Sequence, residues 1–139
     1  MNLNTYLNFG GNCAEAFRFY EQHLGAKILT LMTHDQCPPG APRPGPGQEN
    51  KVMHARLAIG GATIMASDVP PDRFQPIRSV YLSLSVDSDA EAERIYGLLK
   101  EGGEVFMPMA ENFFATRFGQ LRDRFGVSWM ITHEKRMGA

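Results

Sequence analysis

The same succession of strand, helix and three strands runs twice along this chain, and that duplication limits the possible folds more than any single motif. Ala14–Tyr20 (AEAFRFY) matches Ala90–Tyr96 (AEAERIY), Tyr6-Leu7 matches Tyr81-Leu82, and Gly61–Met65 falls opposite Gly126–Met130. One such match carries little weight, but all of them in order, on the same element types, mark an internal repeat. The 139 residues suit one domain or two half-size modules. Neither half carries a comfortable core alone, so the expectation is two modules sharing buried surface.

Within the first copy, Leu3 to Phe9 alternates Leu3, Thr5, Leu7 and Phe9 against Asn4, Tyr6 and Asn8, a half-buried strand with a polar second face. Gly10-Gly11 ends it. Asn12 is placed to cap a helix over Cys13–His23, with Glu15 three residues on as in a capping box, and Gly25 as the stop. Ala16, Phe19, Tyr20 and Leu24 form the apolar stripe. Ala26 to Thr33 reads as a strand, and Lys51–Ile59 with Ala62–Ser67 as a hairpin around Gly60-Gly61. The second copy gives a strand at Ser79–Val86, a helix at Ser88–Lys100 stopped by Gly102-Gly103, and a strand at Glu104–Met109. A pair, Phe114–Asp123 and Val127–His133, follows across Arg124-Phe125-Gly126. Asp123 is read as organising that turn.

Between residues 35 and 50 lie five of the nine prolines (Pro38, Pro39, Pro42, Pro44 and Pro46) with Gly40, Gly45 and Gly47. A loop of this length inside a domain is commonly a lid or a binding element, the reading preferred here over a Pro-rich recognition segment. Asp68 to Arg78, with Pro70, Pro71 and Pro76, reads as a linker.

Composition narrows the function classes. Lys+Arg number 14 against 15 Asp+Glu, a formal net charge of -1, which gives no basic footprint for nucleic acid. No apolar run approaches the ~18 residues of a membrane span, and the first residues lack a signal-peptide pattern. Two cysteines, Cys13 and Cys37, without CxxC spacing argue for a reducing compartment, so the expectation is a cytoplasmic protein. Cys13, at a helix start, is either an activated thiol or a small buried residue, and the second is preferred.

Several stretches carry a family resemblance. They are Tyr6–Phe9 (YLNF), Gly11–Ala16 (GNCAEA), Val52–Leu57 (VMHARL), Met65–Asp68 (MASD), Gly102–Pro108 (GGEVFMP), Arg117–Gly119 (RFG) and Asp123–Ile131 (DRFGVSWMI). On these the chain resembles the glyoxalase, bleomycin-resistance and extradiol dioxygenase (vicinal oxygen chelate) superfamily, in its PhnB-like subgroup. The resemblance implies an α+β fold of two tandem β-α-β-β-β modules, about 1–69 and 78–134, whose curved mixed sheets surround a cavity. Catalytic members hold a divalent metal there on His, Glu or Gln. Aligned on that pattern, the four ligand positions fall on Asn4 (or Thr5, depending on a one-residue gap near Gly10-Gly11), Met65, Tyr81 and Met130. Two thioethers, an amide and a phenol are poor ligands for such an ion, so no metal site and no confident cofactor is expected, a metal held elsewhere staying open. Subgroup members are sometimes labelled demethylubiquinone methyltransferases. No strand, Gly-rich loop and helix suited to an adenosyl or dinucleotide cofactor is present, and Gly10-Gly11 reads as a tight turn.

His54 lies in an otherwise apolar strand and is either a general base facing a cavity or a hydrogen-bonded core histidine. Glu111 is its candidate catalytic companion. Tyr6, Asn8, Tyr81 and Ser83 occupy equivalent polar faces of the two first strands and are read as cavity-lining, with Met65, Met130 and Phe114 as apolar walls. Arg117 suits a carboxylate or phosphonate, or a surface ion pair with Glu111 or Asp123. His23, His34 and His133 are read as structural or solvated. The leading expectation is a protein binding an unidentified small molecule in a sheet-lined cavity. The alternatives are a metalloenzyme with displaced ligands (His54 with Glu111 or Glu134) and a sequestration protein. A homodimer is expected, covering Phe113, Phe118 and Trp129.

Overall fold

A computed structural model describes residues 1–41 and 43–136, so of the loop prolines only Pro42 lies outside it. Two compact units divide at Gln75/Pro76, inside the expected linker. The first, Met1–Gln75, contains β1 (Thr5–Phe9), α1 (Cys13–His23), β2 (Lys27–Thr33), a short 3-10 turn at His34–Gln36, β3 (Val52–Ile59) and β4 (Ala62–Asp68). Its sheet runs β1-β4-β3-β2, with β1 parallel to β4 and the other pairs antiparallel. The second unit, Pro76–Ala139, contains β5 (Leu82–Ser85), α2 (Asp89–Leu99), β6 (Glu104–Ala110), β7 (Ala115–Arg122) and β8 (Ser128–Glu134). It repeats the topology as β5-β8-β7-β6. The fold is therefore α+β with two mixed four-stranded sheets, as the duplication requires.

Each sheet buries one face under its helix. In the first unit Leu7, Phe9, Ala55, Leu57, Ile64 and Ala66 pack against Cys13, Ala16, Phe17 and Tyr20. The buried stripe of α1 thus includes Cys13 and Phe17, while Phe19 and Leu24 are only half-buried. In the second unit Leu121, Trp129 and Ile131 lie under Ala92, Ile95, Tyr96 and Leu99. Trp129 and Phe118 are 1% and 7% exposed, so they belong to this core and not to a surface needing a partner. The indole is kept inside by a hydrogen bond and Phe118 by the side of Phe114, whereas Phe113 is 89% exposed.

Two buried carboxylates tie the local chain together. Asn12 makes no side-chain capping bond; the start of α1 is held instead by Asp68 Oδ1, which accepts from Gly11 N and Cys13 N at 3.0 Å each. Asp68 Oδ2 accepts from Val52 N at 2.9 Å. An ionised acceptor from β4 displaces the weaker local amide cap. Asp123 does the same for the β7–β8 turn, as the sequence suggested. Its Oδ1 accepts from Phe125 N and Val127 N, and its Oδ2 from Trp129 Nε1, at 2.9–3.0 Å.

The repeat has a register that the residue matches obscured. Tyr6 pairs with Met65, but Ser83, not Tyr81, pairs with Met130. Tyr6 is therefore the counterpart of Ser83, and Tyr81 precedes β5 as Asn4 precedes β1. The parity is kept, so all these residues still share the sheet face away from the helix.

Cys13 is fully buried, and desolvation, with the Asp68 charge adding to it, pushes its thiol pKa up to about 12. Cys37 is half-exposed, its Sγ 3.4 Å from Thr33 O. At pH 8 a disulfide reagent should therefore label Cys37 in the folded protein and Cys13 only after unfolding. Labelling of both at equal rates would contradict the buried placement of α1.

Candidate functional site

In the second unit the face away from α2 carries a cavity of about 660 Å³, walled by Arg78, Ser79, Tyr81, Phe106, Arg122 and Ser128. Strand pairing brings these residues together. Arg122 on β7 lies opposite Ser128 on β8 and opposite Glu104 at the start of β6. Phe106 stands edge-on to Tyr81, with ring centroids 6.3 Å apart and planes at 86°. The Arg122 guanidinium rests 5.3 Å from the centre of the Phe106 ring, and its Nη1 is 3.6 Å from Glu104 Oε2. Its Nε is buried with no hydrogen-bond partner. A buried N–H left unmet costs about 1–3 kcal/mol, so the placement of Arg122 beside the cavity comes at the expense of stability. Ser79, also in the wall, is the one non-glycine residue with positive φ (56°) among the described residues, a strain of the kind that gathers at binding sites.

On the corresponding face of the first unit, β1, β4 and β3 place Tyr6, Met65, Arg56 and His54 side by side. His54 is half-buried and stacks on Tyr6, with centroids 6.5 Å apart and planes at 29°. Its side of β3 is the open one, away from α1, the face it shares with Arg56. Asn8 lines a different cavity of this unit, of about 480 Å³.

The expected ligand positions do not suit a divalent ion. Arg56 Nη2 donates to Met65 Sδ at 3.6 Å, which sets a guanidinium where a cation would have to bind. Among the described residues no three His, Cys, Asp or Glu are grouped to hold one elsewhere. Donor type and local charge both argue against the metal site.

Other expected site residues are engaged in local ion pairs. Glu111 meets Lys135 at 2.9 Å, and Arg117 meets Glu93 at 3.1 Å while also donating to Thr116 O. Arg117 thus pairs with a residue of α2 and with neither Glu111 nor Asp123. Phe114 packs between Phe113 and Phe118. His133, read as structural or solvated, takes the structural role, with Nδ1 2.8 Å from Asp89 Oδ1 and 2.9 Å from Thr116 Oγ1. The hydrogen bonds from His133 and then Thr116 hold the Asp89 carboxyl below its ordinary range. This cluster braces the start of α2 against β7 and β8. No local pattern could have shown it, since Asp89 and His133 are 44 residues apart.

Residues 1–132 match the family described as 3-demethylubiquinone-9 3-methyltransferase. The chain belongs to this family. It is 32% identical to protein YjdN of Escherichia coli K12 over 94% of each chain. Protein PA1353 of Pseudomonas aeruginosa is 42% identical, with a TM-score of 0.86 over 98% of this chain and 99% of that one. The PhnB protein of Bacillus cereus is 27% identical, with a TM-score of 0.80 over 96% and 99%. The fosfomycin resistance protein FosX of Listeria monocytogenes, at 14% identity and a TM-score of 0.65 over 97% and 94%, shares the fold. The family match and the PhnB likeness make this a PhnB-like protein, with a fold shared by FosX.

The family's methyltransferase label implies an adenosyl cofactor, and the residues here do not fit one at the one glycine pair that opens a helix. The N–H groups of Gly11 and Cys13 are spent on Asp68, and the Phe74 ring stands 3.1 Å from where a Cβ on Gly10 would lie. No methyl-transfer step follows from this structure.

Proposed function

We propose that this PhnB-like protein binds a small organic anion with a flat, unsaturated body in the cavity on the open face of the second sheet. The observation that supports it is Arg122, stacked on Phe106 with a buried, unpartnered Nε. Phe106 and Tyr81 offer flat walls for a ring or conjugated chain, and Arg78 and Arg122 offer guanidinium donors for a carboxylate. A volume near 660 Å³ falls within the range of metabolite pockets. Binding is the core of the reading; turnover is not required by it. A metalloenzyme built on His54 with Glu111 is less well supported, since Lys135 already neutralises Glu111.

Benzoate, cyclohexanecarboxylate and benzyl alcohol separate the two contributions by calorimetric titration. Benzoate should bind tightest, and Arg122→Gln and Phe106→Leu should each weaken it by about tenfold, the equivalent of one charge-assisted hydrogen bond or ring contact. Equal affinity for benzoate and benzyl alcohol, or unchanged affinity in both variants, would overturn the reading. The same reading has the two units acting as one cytoplasmic domain and pairing as a homodimer. Exposed Val105, Phe106 and Met107 on strand β6 support the pairing. Sedimentation as a monomer at tens of micromolar protein would count against it.

A further inference from the structure

The Pro/Gly-rich loop of the first unit is anchored and charged in a way that the cavity of the second unit does not explain. Its two ends are clipped together by His34 N to Lys51 O (3.1 Å) and Asp35 N to Glu49 O (3.0 Å). Thr33 N and the Gln36 side chain hold the 3-10 turn. The clipped loop arches over the end of β1 and β4 and encloses about 480 Å³ with the turn at Pro70–Arg73, which closes through Arg73 N to Pro70 O (2.9 Å). Arg43 from the loop, Lys51 from its base and Arg73 from the turn all line this space. None of the three makes an ion pair among the described residues. The wall's single carboxylate, Asp68, already accepts three backbone N–H groups. The three cations against one anion leave a net +2 around the cavity. Lys51 donates one bond, to Gly11 O at 3.2 Å, and an ammonium has three donors. His34 in the same wall has a buried Nδ1 without a partner.

Three cations facing one carboxylate leave an excess of positive charge around this space, which an anion bound there would offset. We infer that the loop cavity of the first unit is a second site, distinct from the sheet-face cavity, that holds the oxyanion head of a metabolite between Arg43, Lys51 and Arg73. Two guanidinium forks and an ammonium suit a tetrahedral phosphate or a carboxylate. The cavity exceeds the size of a bare oxyanion, leaving space beside Gln48 for the body of the molecule.

Inorganic phosphate, titrated into the full chain by calorimetry at constant ionic strength with chloride as the background salt, tests this. Saturable binding is expected, weakened by about tenfold in Arg73→Gln and in Arg43→Gln, and unchanged in Arg18→Gln, an exposed position on α1 outside both cavities. Acetate in a parallel titration distinguishes a carboxylate site from a phosphate site. Either anion, if its binding depends on Arg43 and Arg73, upholds the inference. Arg43 and Arg73 are exposed, so both variants should keep the parent melting temperature, and melting curves establish that any loss is one of binding. Saturable binding of neither anion, or affinity equal in parent and Arg73→Gln, would overturn it. Because Arg43 and Arg73 line only the loop cavity, failure here leaves the benzoate experiment untouched.

Discussion

Replacing Asp123 or Asp68 by alanine is expected to lower stability by about 3–5 kcal/mol each, more than any other single side-chain truncation proposed for this protein. Each carboxylate is buried, at 3% and 8% exposure, and each accepts three hydrogen bonds, all buried except the part-buried one from Gly11 N. Asp123→Ala strands Phe125 N, Val127 N and the indole N–H of Trp129. Asp68→Ala strands Gly11 N, Cys13 N and Val52 N. The penalty is dominated by the donors left unsatisfied, so asparagine should recover little: its amide nitrogen would turn a donor toward donors. Losses of this size correspond to a fall in melting temperature of roughly 10–20 °C for a chain of this length. Asp72, exposed in the linker, is the control, and its alanine variant should melt with the parent. A loss below about 1 kcal/mol for either buried site would mean that those donors find other partners.

The two aspartates also show what sequence reasoning reached and what it did not. The turn role of Asp123 was legible because two of its donors lie two and four residues away, inside the span of an ordinary turn pattern. Asp68 was read as the edge of a linker, since its partners at Gly11 and Cys13 are 57 and 55 residues distant. Secondary structure followed the same division. The bounds Cys13–His23 were readable from apolar spacing and the glycine stop, and the hairpin from Gly60-Gly61, whose φ values of 55° and 80° need glycine. Leu3, placed in the first strand by alternation, is 99% exposed because β4 ends its pairing with β1 at Thr5. The candidate sites divide likewise. Tyr6 was legible on an open sheet face because alternation fixes the face of a strand residue, whereas Met65 and Met130 came from the family's pattern and Tyr81 falls just before its strand. Arg122, Arg43 and Arg73 were missed, because what singles them out is the convergence of strands, loop and turn, which leaves no periodic trace.

The second large effect is expected at Gly103, where the change is one methyl group. A Cβ there would lie 2.2 Å from Arg122 O, 3.1 Å from the Asp123 Cα and 3.2 Å from Arg122 C. All three are backbone atoms, so no rotamer change relieves the clash and strand β6 must move away from the end of β7. Gly103→Ala should therefore destabilise by roughly 2–4 kcal/mol, at or above the upper end of ordinary overpacking. The displacement falls on Arg122, so ligand affinity in the sheet-face cavity should drop with it. Gly97, near the end of α2, offers the opposite case. A Cβ at Gly97 meets nothing within 4 Å, and its helical backbone suits any residue, so Gly97→Ala should raise stability by about 0.5–1 kcal/mol through the entropy of the unfolded chain. Denaturant unfolding of both variants reads the two signs directly. Stability of Gly103→Ala within about 0.5 kcal/mol of the parent would show that β6 and β7 do not approach as closely as described, and with them the floor of the Arg122 cavity.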